Sequence, residues 1–492
     1  MRDARVPAWS SLVAVPPALL ALVVTLPGIG KYELGNDEYA TWYASTLSFP
    51  DLFRLLDHVD ALLGPFYLVM HPWLALAGEN AGHMRAPSAA AMACAAGLLA
   101  LIGRRLFDPW TGLAAGLMLV AVPSISAYGQ EARPYAFAVA STLLATLLLL
   151  RAIDVPSWRR WALYGGALVL VALSHVVSLT VLAAHAALVA WDARAGRTGR
   201  GRRWLVSVAV PLAVLVPLML KGSTQMGAIG WIEADGKAVR ELPERMFGSA
   251  TVALVVVVLA LLAAAMARVD RRALILLLSW AVIPPLFCYV TFPLLHTFLY
   301  RYLLFTVPAW VLLAAALPAV LTRAVPRRWP AAVGGLVLAA AVGVVGLPDQ
   351  QEARRTALHE PSFGAAARVV QARLQDGDGI VYAVTRRNSR RAFAYLHATG
   401  VVGKPHDVLL DKPASDIGRY TAIECANTAR CLAGTNRIWL LTDAVPGPVR
   451  VRPVSARAMS MLEAQFDRTF VRSVRHVRIH LLERVSSSPT AG

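Results

Sequence analysis

The sequence predicts a polytopic α-helical membrane protein of about eleven transmembrane helices, followed by a small C-terminal extracytoplasmic α/β domain. Three observations carry this expectation. Of 492 residues, 57% are hydrophobic and only 16% charged, where a water-soluble domain carries about a quarter charged residues. Apolar stretches long enough to cross about 30 Å of hydrocarbon recur to residue 347 and then stop. Arginine is concentrated in alternate inter-span segments. Disorder, a basic nucleic-acid-binding protein and a disulfide scaffold are disfavoured together, so no nucleic-acid partner is expected.

The spans are read at 10–28, 86–103, 111–127, 136–151, 161–175, 176–191, 204–220, 249–266, 272–289, 302–321 and 330–347. The first lacks a small-residue cleavage site before Lys31 and precedes ten more spans, so it reads as a retained helix and not a signal peptide. Six segments collect arginines: Arg2 and Arg5; Arg104 and Arg105; Arg151, Arg159 and Arg160; Arg194, Arg197, Arg200, Arg202 and Arg203; Arg268, Arg271 and Arg272; Arg323, Arg327 and Arg328. With these spans all six fall on one side, which basic loops mark as cytoplasmic. The expectation is a multi-pass protein of the plasma (inner) membrane, N-terminus cytoplasmic and C-terminal domain extracytoplasmic.

The segment 61–78 is apolar enough to be a helix, but counting it as a crossing inverts every later loop. It is read as a helix lying in the outer leaflet or packed on the bundle, broken at Pro65 and Pro72. The domains are therefore 1–347, transmembrane, with a first outer loop at 29–85; 348–485, extracytoplasmic; and a disordered tail at 486–492. The tail domain shows a helical stretch at 363–374, a Gly-Asp-Gly turn, and strands at 380–384, 437–442 and 477–482. Cys94 and Cys288 lie in spans and read as packing residues. Cys425 and Cys431, six apart, are expected to bridge a tight loop in an oxidising compartment, since no His or Cys pair completes a zinc site.

Chemistry-bearing residues gather in the outward segments. Asp37 and Glu38 follow the first span, at a boundary where a carboxylate stays ionised yet partly desolvated and suits a general base; an interfacial helix N-terminus, which favours acidic residues, explains them equally well. The turn Tyr128-Gly-Gln130-Glu131-Ala-Arg133-Pro-Tyr135 places an acid and an anion-binding group between two spans, more than an aromatic belt requires. Arg301, with Tyr302 beside it, stands at the outer end of a span, suited to snorkelling or to a phosphate. Trp231 lies in a loop read as a weak candidate flap. His58 and His296 are the histidines closest to these segments, and none of the histidines has metal-ligand spacing. The Gly112 and Gly116 pair reads as helix packing.

Taken in order, the acidic pair, the many spans, the YGQEARPY turn, the late RYLL span and the outward domain resemble the GT-C glycosyltransferases. More narrowly they resemble the family 39 branch related to protein O-mannosyltransferases and the aminoarabinose transferase of lipid A. The stretches 37–38, 66–73, 101–107, 128–135, 301–304 and 363–382 look similar to bacterial, actinobacterial members. The resemblance implies a donor sugar on a polyprenyl phosphate, mannose-like by default, moved to a hydroxyl of a protein, glycolipid or polysaccharide on the extracytoplasmic face. By motif, Asp37 would be the base, Glu38 would position it, Glu131 would match the second acidic position, and Arg133 or Arg301 would hold the donor phosphate. Membrane lipids are expected partners, and no cofactor is implied beyond a divalent metal, whose requirement the resemblance leaves open. Many relatives carry a His-Pro-Pro-Leu-Tyr-like motif where Gly64-Pro65-Phe66-Tyr67 stands here, so no histidine role transfers to that point.

A transporter or flippase of a lipid-linked envelope precursor is the alternative from another class. Few ionisable residues in the spans and no paired broken helices weigh against it. The net charge of +18 divides accordingly: +13 on the six arginine-rich segments, −3 on the outward loops before the tail, and +8 on the tail.

Overall fold

The computed structural model describes residues 12–194, 196, 199–266, 269–322, 329–353, 361–384, 388–444 and 454–485; the expected tail at 486–492 lies outside them. The chain divides into two units: Met1–Ile29, Asp60–Phe66 and Arg85–Arg354 form a helical unit, and Gly30–Val59, Tyr67–Met84 and Arg355–Gly492 form the second.

Among the described residues, seven helices are long and apolar enough to cross a membrane: Ala81–Leu106, Tyr135–Asp154, Val176–Arg194, Arg200–Ser223, Arg271–Val290, Tyr300–Leu321 and Trp329–Ala353. Two bent pairs bring the number to nine, so this is a multi-pass membrane protein. The first expected span is shorter than anticipated, the helix Leu12–Thr25. The span at 161–175 falls in the 17-residue helix Trp158–Ser174, which ends where His175 turns extended (φ −163°). The span expected at 111–127 is not continuous: Pro109–Ala121 and Pro123–Gly129 meet at 70°, because Pro123 disfavours helical backbone at Val122 (φ −72°, ψ 122°). The loop 221–248, read as a flap, carries the helix Gly236–Phe247, which bends by 87° into Ala250–Ala265. Segment 61–78 forms a 3-10 turn Ala61–Leu63 and one helix Gly64–Ala77. Pro72 lies inside that helix, so the expected break is absent; at 14 residues it measures about 21 Å.

Glycine sets the closest helix approaches. A Cβ on Gly112 would come within 2.6 Å of the Arg104 backbone nitrogen, and one on Gly116 within 2.6 Å of Pro17 Cγ; this pair packs helices. A polar network crosses the apolar core. Trp204 Nε1 donates to the Tyr164 hydroxyl (3.2 Å) and Tyr164 bonds His185 Nδ1 (3.0 Å). His185 Nε2 lies 3.0 Å from Thr146 Oγ1, which donates to the Thr142 carbonyl (2.9 Å). With each hydroxyl proton so directed, His185 is neutral with its proton on Nε2, and every polar atom of the ring is satisfied away from water. At the arginine-rich ends, Asp154 joins Arg105 (2.7 Å) to Arg272 (2.9 Å), and Asp192 joins Arg272 (3.7 Å) to Arg200 (3.3 Å). Cys94 is exposed, against the expectation that it packs inward, whereas Cys288 is buried.

The described residues of the second unit hold seven strands: β1 (Gly379–Tyr382), β2 (His406–Asp407), β3 (Leu410–Lys412), β4 (Ile423–Glu424), β5 (Arg437–Asp443), β6 (Phe466–Val474) and β7 (Val477–Arg484). The main sheet has the order β2-β1-β5-β7-β6, with β1 parallel to β2 and β5, and β7 antiparallel to β5 and β6. β3 and β4 form a separate antiparallel pair. β1, flanked by β2 and β5, is buried throughout. Asp378 before it, buried to 2%, accepts from Trp439 Nε1 (2.9 Å) and Arg437 Nε (2.9 Å). Arg390 bridges Asp407 (2.5 Å) and Glu424 (3.4 Å), and burial raises the Glu424 carboxyl above its ordinary range. Cys425 and Cys431 form a disulfide.

The outer loop groups with this unit and not with the helices to which the sequence assigned it. Side chains explain why. Glu33 accepts from Ser362 Oγ (2.8 Å) and the Gly364 N–H (3.0 Å), capping the helix Phe363–Gln371. Tyr39 and Trp42 meet Tyr395 edge-on at 5.7 and 5.5 Å, and Trp42 Nε1 donates to Glu79 (2.7 Å).

Candidate active site

In the helical unit, the helix Pro123–Gly129 hands over to a short non-helical turn before Tyr135–Asp154 begins. Gln130 secures this turn by donating its side-chain amide to the Thr25 carbonyl (2.6 Å). The Arg133 N–H donates to the Glu131 carbonyl (2.8 Å), and Ser88 Oγ donates to the Arg133 carbonyl (3.3 Å). The turn is thereby fixed from two other helices, and Gln130 is an anchor.

The aromatic side chains of the turn form one cluster with residues from distant parts of the sequence. Tyr128 meets Tyr135 edge-on at 5.3 Å, and Tyr135 lies 6.3 Å from Tyr302 and 5.8 Å from His175. His175 and Tyr302 are 4.5 Å apart. The Arg301 guanidinium sits over two rings, 5.8 Å from Tyr135 and 5.7 Å from Trp231, and Arg245 sits 5.6 Å over Tyr300. The charges of Arg133 and Arg301 both reach Tyr135 and His175, while Glu131 and Arg301 both reach Tyr128. Arg133 is 7% exposed. Two guanidiniums held in a partly buried aromatic setting, where charge is weakly screened, suit an anion. Tyrosine hydroxyls around them supply further donors.

The structure therefore brings Tyr128, Glu131, Arg133, Tyr135, Arg301 and Tyr302 together. It adds His175 and Trp231. His175 Nδ1 is shielded from solvent with no hydrogen-bond partner among the described residues; its sequence signal is a lone histidine at the junction of two apolar stretches, which packing histidines share.

Asp37, Glu38 and His58 belong to the other unit. Asp37 and Glu38 occupy the first turn of the helix Asn36–Thr46. Glu38 is buried, and its Oε2 accepts from the Gly35 N–H (2.9 Å) as the return arm of a helix cap. Asp37 is partly exposed on the same turn. Burial pushes the Tyr43 hydroxyl on this helix up to about 12. His58 ends the helix Phe49–His58, where its Nδ1–H donates to the Arg54 carbonyl (2.8 Å). It lines a cavity of about 550 Å³ with Arg54, Asp416, Arg419 and Thr421, which neither Asp37 nor Glu38 lines. His296 does not join the Tyr135 cluster: it caps the helix Phe292–Leu295 at φ 48° and lies 5.0 Å from Phe292. No group of three His, Cys, Asp or Glu is arranged for a metal among the described residues.

Known proteins add two kinds of likeness. A family model described as dolichyl-phosphate-mannose-protein mannosyltransferase matches residues 65–220, a stretch that includes the whole Tyr128–Tyr135 turn. The fold is similar to ArnT from Cupriavidus metallidurans bound to undecaprenyl phosphate: TM-score 0.61, 15% identity, covering 96% of this chain and 98% of that one. ArnT in the apo state gives 0.61 and 14%, with 95% and 97% covered. The archaeal oligosaccharyltransferase AglB from Archaeoglobus fulgidus gives 0.46 and 11%, covering 89% and 69%. No curated protein sequence matches. By fold over nearly its whole length, and by sequence over residues 65–220, the chain is similar to the GT-C glycosyltransferases.

Proposed function

We propose that the protein is a membrane glycosyltransferase that moves a sugar, mannose-like by default, from a polyprenyl-phosphate donor to an acceptor hydroxyl on the extracytoplasmic face. The observation that carries this reading is the Arg133 and Arg301 pair, held among Tyr128, Tyr135, Tyr302 and His175. The ArnT-like fold, which in ArnT itself holds undecaprenyl phosphate, supports it. The arginine-rich segments would face the cytoplasm, and the C-terminal domain the extracytoplasmic side of the plasma membrane.

The chemistry asks little of the protein beyond placement and charge. The acceptor oxygen attacks the anomeric carbon, the carbon–oxygen bond to the phosphate breaks, and its electron pair leaves with the polyprenyl phosphate. The acceptor proton passes to the Asp37 carboxylate. Arg301 and Arg133 neutralise the phosphate, whose charge rises as it departs, so their attraction is greater in the transition state than before it. Single displacement inverts the anomeric centre. The acceptor is a protein, glycolipid or polysaccharide hydroxyl arriving from water.

Asp37→Asn tests the reading, since it keeps the side-chain shape and removes the base. Transfer from a polyprenyl-phosphate sugar is expected to fall by at least about 100-fold with donor binding and thermal unfolding unchanged. Wild-type transfer by the variant rejects Asp37 as base, and retention at the anomeric carbon by NMR rejects the single displacement.

A further inference from the structure

The second unit holds a cavity that no step of the transfer reaction uses. It has a volume of about 550 Å³ and lies between the helix Phe49–His58 and the connection from β3 to β4. The helix supplies Arg54 and His58, and the connection supplies Asp416, Arg419 and Thr421.

Its walls are held in place by specific contacts. Gly418 in the connection has φ +61°, and a Cβ there would lie 2.5 Å from the Arg54 carbonyl oxygen and 2.8 Å from His58 Nδ1. Only glycine therefore lets the connection seat on the end of the helix. Arg54 Nη1 ties the same two elements by donating to the Ser415 carbonyl (3.1 Å). Tyr420 is locked in turn: Arg391 lies 4.8 Å over its ring and donates Nη1 to its carbonyl (2.9 Å), and its hydroxyl meets that of Tyr67 (3.1 Å). The residues on either side of this tyrosine, Arg419 and Thr421, both line the cavity.

The charges in the cavity do not cancel one another. Arg54 is neutralised by Asp51 (2.7 Å). Asp416 accepts from the neighbouring Ser415 Oγ (3.1 Å) and meets no cation among the described residues. The Arg419 guanidinium and the Thr421 hydroxyl have no partner among the described residues, and the His58 bond to Arg54 uses Nδ1 and leaves Nε2. Water satisfies an exposed arginine, and Arg419 taken singly needs nothing more. Water does not require a glycine wedge and a locked tyrosine that hold a guanidinium and a carboxylate in one cavity without letting them pair.

A ligand that fills the cavity must accept from a guanidinium and donate to a carboxylate at once. The planar guanidinium matches a carboxylate through two parallel N–H groups. The Asp416 carboxylate is acceptor-only and takes hydroxyl protons, while Thr421 and His58 offer neutral hydrogen bonds to further hydroxyls. Ile417 and the 43% exposed Ile423 add apolar surface to the lining, which the C–H face of a sugar ring can cover. Acid, several hydroxyls and an apolar ring face occur together in one class of compound.

We propose that this cavity binds an acidic saccharide, its carboxylate on Arg419 and its hydroxyls on Asp416, Thr421 and His58. The site lies within the second unit, and binding there does not depend on the glycosyl-transfer reading.

Isothermal titration calorimetry of the detergent-purified full chain with digalacturonate, and with its neutral counterpart digalactose, tests it. Wild type is expected to bind digalacturonate at least about tenfold more tightly than digalactose. Arg419→Gln is expected to weaken digalacturonate about tenfold and digalactose less than about twofold, with thermal unfolding unchanged. Thr421→Val is expected to weaken both about threefold, and it carries the test if Arg419→Gln does not fold. No binding of digalacturonate at about 10 mM, equal binding of the two sugars, or wild-type affinity in both variants overturns the proposal. So does displacement by an equal concentration of inorganic phosphate, which would assign the cavity to a free anion, or of tetraglutamate, which would assign it to an acidic peptide.

Discussion

Replacing Arg301 by glutamine removes one positive charge from the aromatic cluster and leaves a side chain of similar reach. Its guanidinium lies 5.8 Å over the Tyr135 ring and 5.7 Å over the Trp231 ring, so its position is set by two flat surfaces. A guanidinium about 4 Å from one extra phosphate charge is worth about 4 kcal/mol at an effective dielectric of about 20. Loss of a fixed donor to a developing oxyanion costs about 2.7–4 kcal/mol in other enzymes. Taking about 2–4 kcal/mol, kcat in Arg301→Gln should fall by roughly thirty- to a thousandfold. Arg301→Lys keeps the charge and loses the planar fork and its two ring contacts, at about 0.5–1 kcal/mol each; a loss of about tenfold is expected. Steady-state and single-turnover transfer from a labelled polyprenyl-phosphate sugar read both numbers. A charge that acts mainly as the phosphate departs lowers kcat more than it raises KM. Combining Arg301→Gln with Arg133→Gln adds a second check, since two groups on one phosphate give a non-additive double variant. If Arg301→Gln keeps kcat/KM within about threefold of wild type, the guanidinium does not meet the transition state and the assignment fails.

Two further outcomes follow from the second unit. Glu38→Gln retains an oxygen for the Gly35 N–H and should keep most of the transfer activity that Asp37→Asn abolishes, whereas Glu38→Ala should lose about 1–2 kcal/mol of stability in thermal unfolding; a Glu38→Gln enzyme as dead as Asp37→Asn would make Glu38 a direct participant. In the sheet, His480 bonds Thr442 (3.1 Å), and burial, with Arg468 and Arg478 nearby, lowers its pKa to about 4. Its ordinary value is near 6.5, so both states are neutral above that pH; between 6.5 and 4 only the unfolded state takes the proton, and stability falls with pH. Hydrogen exchange in β5 and β7 should accelerate across that window in wild type and much less in His480→Gln, and identical slopes would remove His480 as the cause.

What the sequence made legible was local. Apolar length marks the spans, alternating arginines mark their ends, and β1, β5 and β7 each lie under a short apolar run. The YGQEARPY turn announced itself because tyrosines, an acid and a base fall within eight residues, and the structure keeps Tyr128, Glu131, Arg133 and Tyr135 in one cluster. The illegible part was long-range. Gln130 looked like a ligand group until its amide was seen on the Thr25 carbonyl. Glu38 reads equally as half of an acidic pair and as a residue of a helix N-terminus, and only the fold shows its carboxylate on the Gly35 N–H. The outer loop looked like part of the membrane domain because it is continuous with it in sequence, yet Glu33 caps a helix more than 300 residues away.

The arginines show the same limit in a sharper form, because one residue type serves two physical ends here and only the neighbours separate them. Arg390 lies between the carboxylates of Asp407 and Glu424, where its charge is spent on holding strands together and breaking the pair would leave a partly buried carboxylate exposed to desolvation. Arg301 rests on aromatic faces, 5.8 Å over Tyr135 and 5.7 Å over Trp231, which orient a guanidinium by its flat face and not by a carboxylate of a neighbouring strand.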